Sequence, residues 1–554
     1  MPGREKPYHL KIKEMSLKRK IIIVTLSLFF SMLAILGIQI DRFGGFRISF
    51  SGAFAFSVLV ALQLFILYVV YSHLDTICEI ANSFPRGKRR DKYGFLIAFV
   101  SLGFIYSIHF LAMYPGIFAF DARSQYLSYL NNNMSEFHPL MHTVLLGSII
   151  KAISKDPYSI NHGVAVFVLI QIFLCVLVFS FICAYSFRKT QNIVIFSLAI
   201  IYLGLFPPIV WAVLSVTKDT YFLIFFMVSV LLSLILFERI RILATPEDQR
   251  PDMPPDMPKS FIPLKTSVII LSVCLGITVT GMCIFRNNCI YAIPFFLIPL
   301  LIISRKKQFQ AITIGVFIVL FLCYKLLFVP AFASYKPDGR EMYSVPIQQM
   351  MAVYTDENGV LSDEDRAMIE RLIPEEGRVY LPYIADIPKS TVDMAYYKAN
   401  KKAVRQMYFR LQKNNIKKCF DAFVTLNCGL WEPGFRLTLY PDGTIGYWPI
   451  TCYEPAKMNS KLPFILYLNQ KIEHFIFEGK WSMVSYIFAP GAVFWLFLSY
   501  FGFVIEKKIY KFYPLFIFAL AYFATFLFGP VALVRYVVFL YVLLPVYLTM
   551  FSKH

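Results

Sequence analysis

Apolar stretches of about twenty residues recur along this sequence, and they limit its fold more than any other feature. Of the 554 residues, 58% are hydrophobic and only 16% are charged, whereas roughly 25% of the residues in soluble domains are charged. A helix of roughly 20 apolar residues crosses the hydrocarbon core of a bilayer. The sequence therefore predicts a mainly α-helical, polytopic membrane protein that is embedded in a lipid bilayer.

The lengths of these apolar runs predict about twelve membrane spans. The spans lie near 21–40, 54–72, 94–114, 163–186, 192–213, 220–237, 266–285, 289–303, 311–329, 484–504, 513–529 and 535–551. If a shorter apolar segment at 139–153 also crossed the membrane, every later loop would lie on the opposite side, and the basic loops would be outside. We therefore expect it to be a helix lying along the outer interface.

Lysine and arginine residues predict the orientation of the spans. Basic clusters occur at the N-terminus and in alternate loops, for example at 86–90 and 305–307, whereas the other loops carry few of them. Cytoplasmic loops are enriched in Lys and Arg. We therefore expect both termini in the cytoplasm. The same rule accounts for the net charge of +20, so we expect no nucleic-acid partner.

These spans divide the chain into three regions. Residues 1–329 form an N-terminal membrane region with about nine spans and an outer loop at 115–162, and residues 484–554 form a C-terminal membrane region with about three. Residues 330–483 form an extracytoplasmic soluble domain, which we expect to be mixed but mostly helical. Cys419, Cys428 and Cys452 fall within this domain, and the sequence leaves open whether two of them form a disulfide.

Local patterns predict several elements outside the spans. The stretch 362–365 has the residues of a capping box, and 390–393 precedes a second helix with an apolar stripe. The stretch 437–448 is typical of a short hairpin around Pro-Asp-Gly. The proline-rich stretch 245–258 predicts a cytoplasmic linker without regular structure.

Polar side chains collect in the turns that our topology places outside the membrane. Charges at membrane depth are costly, so they usually serve a site. These turns carry Asp121 and Arg123 after the third span, Lys218 and Asp219 before the sixth, Arg286, Asn287 and Asn288 after the seventh, and Arg535 at the last. Three cations close to a carboxylate suit a substrate whose leaving group is a phosphate.

Each of these residues also has a purely structural interpretation. Lys218 and Asp219 are adjacent and suit a local ion pair, and Asp121 suits the cap of the following helix. His138 and His142 have the i, i+4 spacing of a metal pair on a helix, with Asp121 as a further candidate ligand. We therefore assign no cofactor, and dependence on a divalent metal stays open.

Taken together, the turns contain a set of short motifs. The set comprises Tyr114-Pro115-Gly116 with Asp121, His138-Pro139 with His142, Lys218-Asp219-Thr220, Arg286-Asn287-Asn288 and Val534-Arg535-Tyr536. It resembles the motifs of bacterial GT-C-type membrane glycosyltransferases over most of the membrane region. The resemblance is specific for that superfamily and does not indicate a substrate. It differs in one respect, because the outer loop lacks an Asp-Glu pair and offers only Asp121 and the distant Glu136.

The resemblance implies a location in a bacterial cytoplasmic membrane. It also implies a sugar transfer from a polyprenyl-phosphate donor to a cell-envelope glycan or lipid acceptor on the outer face. Asp121 would be the base, because the acceptor hydroxyl has to lose its proton. The cations Lys218, Arg286 and Arg535 would bind the donor phosphate. The supporting residues would be Arg123, His138, His142, Asp219, Asn287 and Asn288. Two other classes stay open, namely a transporter or flippase for lipid-linked saccharides and a non-catalytic envelope scaffold.

Overall fold

The architecture comes from a computed structural model that describes residues 15–83, 93–119, 121–156, 159–246, 263–432, 450–477 and 487–551. In these ranges the chain is mainly helical, with isolated β-bridges and no strands. The predicted hairpin at 437–448 and most of the predicted linker at 245–258 lie outside the described residues.

The first part of the chain is a series of mostly long apolar helices. They are α1 (Leu17–Phe43), α2 (Phe50–Ser83), α3 (Gly94–Ala112), α4 (Ala122–Leu130), α5 (Leu140–Ile153), α6 (Asn161–Thr190), α7 (Ile193–Leu205), α8 (Pro207–Leu214), α9 (Lys218–Ala244), α10 (Leu264–Phe285), α11 (Cys289–Ala292), α12 (Pro294–Ile303), α13 (Lys307–Cys323) and α14 (Val329–Phe332). A π-helical turn, Tyr324–Phe328, joins the last two of these.

Shorter helices follow. They are α15 (Ser344–Tyr354), α16 (Asp363–Leu372), α17 (Asp386–Thr391), α18 (Met394–Ala399), α19 (Lys401–Asn414), α20 (Ile416–Trp431), α21 (Pro463–Phe477), α22 (Pro490–Glu506), α23 (Tyr513–Phe526), α24 (Val538–Tyr541) and α25 (Leu544–Tyr547). Single 3₁₀ turns occur at Arg340–Tyr343, Glu375–Gly377, Tyr510–Phe512, Val534–Val537 and Leu548–Phe551.

Several of the helices are long and apolar enough to cross a membrane, which makes this a multi-pass membrane protein. Among the described helices, seven reach that length, and the pair α7 and α8 adds an eighth if its two halves form one span. The predicted spans near 289–303, 484–504, 513–529 and 535–551 correspond to shorter apolar helices. The count of about twelve stays a prediction.

Proline residues explain where predicted spans are interrupted. The predicted span at 192–213 bends by 54° between α7 and α8, because Pro207 has no amide hydrogen and starts a new helix. The predicted span at 535–551 is a series of short helical turns around Pro545. Neither segment is the continuous helix that hydropathy indicates.

Burial separates central from peripheral helices. In the most apolar 18-residue stretch of α9, 72% is buried inside the protein, and in that of α6 the buried share is 61%. The same share is only 6% in α2, whose exposed side chains include Phe54 and Phe65. We infer that α2 faces lipid over most of its surface, since exposure of so many apolar side chains to water would be unfavourable.

The segment between α14 and α22 has a small core of its own and also joins the main one. Buried side chains from Ile347 to Cys419 form the small core. The end of α20, with Cys428 and Trp431, belongs to the main core instead. The predicted caps are confirmed, because Ser362 accepts from the Asp365 amide at the start of α16 and Asp393 caps α18. The second predicted helix is two helices, α18 and α19, which meet at Asn400.

The three cysteines of this segment are free thiols. Cys419 and Cys428 are buried, and Cys452 donates to the carbonyl of Gly116 at 3.1 Å. The structure therefore contains no disulfide among these three described residues. Cys452 instead helps to hold the loop that leads to Asp121.

Candidate functional site

Backbone pairing brings two of the predicted turns together. The Ile117 amide donates to Leu214 and the Val216 amide donates to Ile117, both at 2.9 Å. The Gln171 side chain of α6 donates to the Ser215 carbonyl at 2.8 Å. These contacts place the end of the loop after α3 beside the start of α9, so that Asp121 and Lys218 become neighbours.

Gly116 permits this close approach. Its φ of +123° is one that side-chain-bearing residues rarely adopt, and a Cβ there would lie 2.6 Å from a methyl carbon of Val168. On the other side of the loop, the Tyr453 amide donates to the Phe118 carbonyl at 2.8 Å. The loop is therefore held from both sides at Ile117 and Phe118, shortly before Asp121.

Asp121 precedes α4 at its N-cap position, but its side chain does not cap the helix. The carboxylate oxygen Oδ2 lies 2.8 Å from Lys218 Nζ and 3.4 Å from Arg535 Nη1. The capping interpretation is therefore wrong for this side chain. Asp121 is the counter-ion of two cations from distant parts of the chain.

A second carboxylate extends this pair into a row of alternating charges. Asp219 contacts Arg286 through Oδ1 and lies 3.8 Å from Arg535 Nη1 through Oδ2. Lys218, Asp121, Arg535, Asp219 and Arg286 thus follow one another as cation, anion, cation, anion and cation. We call these five residues the charge cluster. Its second acid comes from the first turn of α9 and not from the outer loop. The alternative of a local ion pair between Lys218 and Asp219 is wrong, since each pairs with a different residue.

Tyr536 supports the arginine end of the charge cluster. The guanidinium carbons of Arg286 and Arg535 lie 5.0 Å and 5.4 Å from the centre of its ring. Cations within about 6 Å of an aromatic face are attracted to it. The gap enclosed near Arg286, Arg535 and Asp219 is only about 10 Å³, which is the space for one water molecule at most.

Exposure is highest at Asp121 and low elsewhere in the charge cluster. The side chain of Asp121 is 28% exposed, compared with 11% for Lys218, 11% for Arg286, 9% for Arg535 and 8% for Asp219. We call the part around Asp121 and Lys218 the open end, and the part around Asp219 and Arg286, where the gap is small, the closed end. A ligand would therefore reach the cluster beside Asp121. We predicted that Arg286 binds the donor phosphate. Its side chain contacts Asp219 and Tyr536 at the closed end, so its influence on a phosphate beside Asp121 would be indirect.

The charges of the cluster set the ionisation of Asp121. Burial by itself would raise the pKa of this carboxyl, but the positive charges of Lys218 and Arg535 offset that effect and hold the pKa well below its usual range. Asp121 is therefore ionised and strongly paired. A carboxylate in that state is a weak base until its counter-ions are engaged elsewhere.

His138 lies against the open end of the charge cluster. Its Nδ1 is 3.3 Å from Lys218 Nζ and can accept a hydrogen bond from it only when the ring is neutral. Burial, followed by the positive charge of Lys218, lowers the pKa of His138 to about 4. His138 is therefore neutral at physiological pH and helps to orient the ammonium group.

The predicted metal interpretation is not supported by these contacts. His142 is fully buried, and its Nδ1 contacts the side-chain oxygen of Gln125. Lys218, a cation, lies between Asp121 and His138. Among the described residues, no group of three or more His, Cys, Asp or Glu side chains could hold a metal ion.

The remaining predicted residues lie outside the cluster. Arg123 is exposed and borders a separate depression with Ser128 and Tyr453. Asn287 donates to the Glu136 carbonyl at 2.9 Å, and Asn288 donates to Thr525 at 2.8 Å. The two asparagines therefore connect the turn after α10 to its neighbours.

A cavity of about 700 Å³ adjoins the open end of the charge cluster. Residues of α4, the loop before α5, the segment around Arg340 and α17 line it. His138 belongs to its wall and also contacts Lys218. Cavities that bind small molecules have volumes of about 300–1,000 Å³, so this one has a suitable size and lies beside the charges.

Sequence reasoning missed Gln125, Tyr536 and the charged wall of the cavity. Tyr536 follows Arg535 directly, so an aromatic residue beside a buried cation was a usable signal. The wall contains Glu341, Asp386 and Lys389. Only the i, i+3 spacing of Asp386 and Lys389 was visible in the sequence, because the contact between Lys389 and Glu341 depends on the fold.

A family model described as a family of unknown function, DUF6020, matches residues 96–424. The match includes every member of the charge cluster except Arg535. No curated protein and no solved structure matches the chain.

Proposed function

The chain belongs to the DUF6020 family, and we propose that it is a membrane glycosyltransferase of GT-C type. It moves a sugar from a polyprenyl-phosphate donor to a cell-envelope glycan or lipid acceptor. The observation that carries the proposal is the Asp121 carboxylate shared between Lys218 and Arg535, beside a cavity large enough for a sugar. The support is chemical, because the reaction needs cations for a departing phosphate and a base for a hydroxyl.

Donor binding and activation of the base are linked in this proposal. The donor phosphate is an anion, so it competes with Asp121 for Lys218 and Arg535. When the phosphate oxygens take these two cations, the carboxylate loses the charges that lower its pKa. Asp121 then becomes basic enough to act, and only while the donor is bound.

The transfer step follows from this arrangement. The acceptor hydroxyl oxygen forms a bond to the anomeric carbon of the sugar, and the bond between that carbon and the phosphate oxygen breaks. The lipid phosphate leaves with the bonding electron pair and is stabilised by Lys218 and Arg535. The hydroxyl proton passes to Asp121. Arg286 acts from the closed end, where it neutralises Asp219 and so weakens the hold of Asp219 on Arg535 when the phosphate binds.

Reconstitution tests the reaction. The purified protein in nanodiscs receives polyprenyl-phosphate sugars together with envelope glycans or lipids, and the products are analysed for a new glycosidic bond. We expect transfer from at least one donor, and transfer slowed by about 10²–10⁴-fold in the Asp121→Asn variant. Movement of a lipid-linked sugar across the membrane of liposomes, without formation of a glycosidic bond, would favour a flippase and overturn the proposal.

The proposal also includes an orientation, with the charge cluster on the outer face of a bacterial cytoplasmic membrane and both termini in the cytoplasm. A cysteine at exposed position Asn131 should react with an impermeant reagent added to intact cells. One at exposed position Lys306, beyond the other end of the helices, should not react. Labelling of the protein without added cysteine provides the background, since Cys323 is exposed. The reverse pattern would place the site inside.

A further inference from the structure

A buried lysine holds two carboxylates in the wall of the 700 Å³ cavity. Lys389 Nζ lies 2.8 Å from Glu341 Oε2 and 2.7 Å from Asp386 Oδ1. The lysine side chain is only 6% exposed, whereas those of Glu341 and Asp386 are 43% and 44% exposed. The cation thus lies behind the carboxylates, and the carboxylates face the open space.

This arrangement prepares the two acids to accept hydrogen bonds. Lys389 contacts one oxygen of each carboxylate. No other described side chain bonds to the second oxygen of either, so that oxygen can accept from a ligand. Because the lysine already restrains both side chains, a ligand loses less conformational entropy on binding them. Hydrogen bonds to charged acceptors are also the stronger ones.

The rim of the cavity offers flat apolar surfaces. Phe137 and Tyr335 line it and are 45% and 49% exposed. Ser124 and Ser128 of α4 contribute hydroxyl groups to the same wall. Aromatic faces combined with fixed polar groups suit a ligand that has both C–H surfaces and many hydroxyls.

The charge of the wall excludes an anionic ligand. Its acids are Asp338, Glu341 and Asp386, and its only cations are Arg340 and Lys389. Each cation is already paired with an acid of the same wall. The cavity thus differs from the charge cluster, which has more cations than acids.

We propose that this cavity is a binding subsite for a neutral or amino-bearing sugar, whose hydroxyl or ammonium groups donate to Glu341 and Asp386. The assignment of that sugar as the acceptor rests on the proposed function, but its binding does not. His138 borders both the cavity and Lys218, so a sugar in this subsite has one end close to Asp121.

The experiment measures direct binding of three short oligosaccharides to the full-length protein in nanodiscs. The probes are oligomers of glucosamine, N-acetylglucosamine and galacturonic acid, which are cationic, neutral and anionic. We expect at least one of the first two to bind and the third not to bind. Glu341→Gln and Asp386→Asn should each weaken binding by about tenfold to a hundredfold, since each removes one charged acceptor.

Glu370→Gln is the matched control. Glu370 lies in the same segment but accepts from the Tyr354 hydroxyl at 2.9 Å, away from the cavity. Both test side chains are more than 40% exposed, so we expect the variants to fold, and thermal unfolding checks this. Equal binding of the anionic oligomer, failure of all three probes to bind, or wild-type affinity in both variants overturns the proposal.

The two proposals fail in different ways. If a sugar binds through Glu341 and Asp386 but no transfer ever occurs, the subsite stands and the transferase function falls. If transfer occurs and both variants keep the wild-type KM for the acceptor, the subsite is wrong and the function stands.

Discussion

Lys218 Nζ lies 2.8 Å from the Asp121 carboxylate, although 97 positions separate the two residues in the sequence. The same carboxylate oxygen also faces Arg535, from the other end of the chain. One acid therefore joins three turns. Substitutions at this junction should therefore have separate effects on the binding of an anionic donor and on the rate of transfer.

Asp121→Asn should slow transfer and tighten donor binding at the same time. The amide cannot take a proton, and loss of a general base costs about 10²–10⁴-fold in rate. The variant also lacks the internal anion that competes for Lys218 and Arg535, so a polyprenyl phosphate should bind it more tightly. Single-turnover transfer and lipid-phosphate binding measure the two effects.

Asp393→Asn is the control for that substitution. Asp393 makes a helix cap with the amides of Ala395 and Tyr396, and Asn caps a helix nearly as well as Asp. Both rate and affinity should therefore match the wild type. Near-normal transfer by well-folded Asp121→Asn protein would remove Asp121 from the mechanism.

Arg286→Met should destabilise the protein. It leaves Asp219, which is 8% exposed, with only the longer contact to Arg535, and removing one partner of a buried ion pair costs about 3–5 kcal/mol. The double variant Arg286→Met with Asp219→Asn should regain part of the loss. Thermal unfolding in detergent measures the effect.

Lys417→Met provides a surface comparison for Arg286. Lys417 pairs with Asp421 but is 67% exposed, so its loss should change stability by less than about 1 kcal/mol. If Arg286→Met melted no earlier than this control, the buried pair would contribute nothing to stability.

His138→Gln should make the protein less sensitive to acid. The folded-state pKa of His138 is about 4, below the ordinary value of about 6.5. As the pH falls from 6.5 to 4, the unfolded chain takes up a proton here that the folded protein does not, so stability decreases. Between pH 6.5 and pH 4, the melting temperature of the variant should therefore fall less than that of the wild type.

Asp121 contributes in a different pH range. Its pKa is lowered, so its stabilising effect is fully present above about pH 4 and is lost only as the pH falls further.

His162→Gln, at an exposed position, is the control for the His138→Gln substitution and should keep the wild-type dependence of melting temperature on pH. Identical profiles of the His138 and His162 variants would contradict the assignment.

Gly116→Ala should displace the loop that carries Asp121. The added Cβ requires an unfavourable φ and overlaps Val168, and overpacking of this kind costs about 1–3 kcal/mol. We expect lower stability together with a loss of transfer. Gly103→Ala has open space around the added carbon and should be tolerated. Wild-type behaviour of the Gly116 variant would show that the loop adapts.

The sequence by itself determined most of the helices and the membrane character. Apolar runs are a local property, because the transfer of each side chain out of water depends little on its neighbours in space. The caps at Ser362 and Asp393 were predictable for the same reason, since a cap bonds to amides two or three residues away. The sequence also indicated which turns carry charge, and with them every member of the charge cluster.

Only the tertiary structure decided how these charges pair. Asp121 is at an N-cap position, and local rules favour a cap, but two cations from residues 218 and 535 attract its carboxylate more strongly. Asp219 became the second acid of the cluster, and Glu341 contacts Lys389 in the wall of the cavity, through contacts that no sequence spacing predicts. Coulomb energy depends on distance in space, and in this protein the folded loops set that distance.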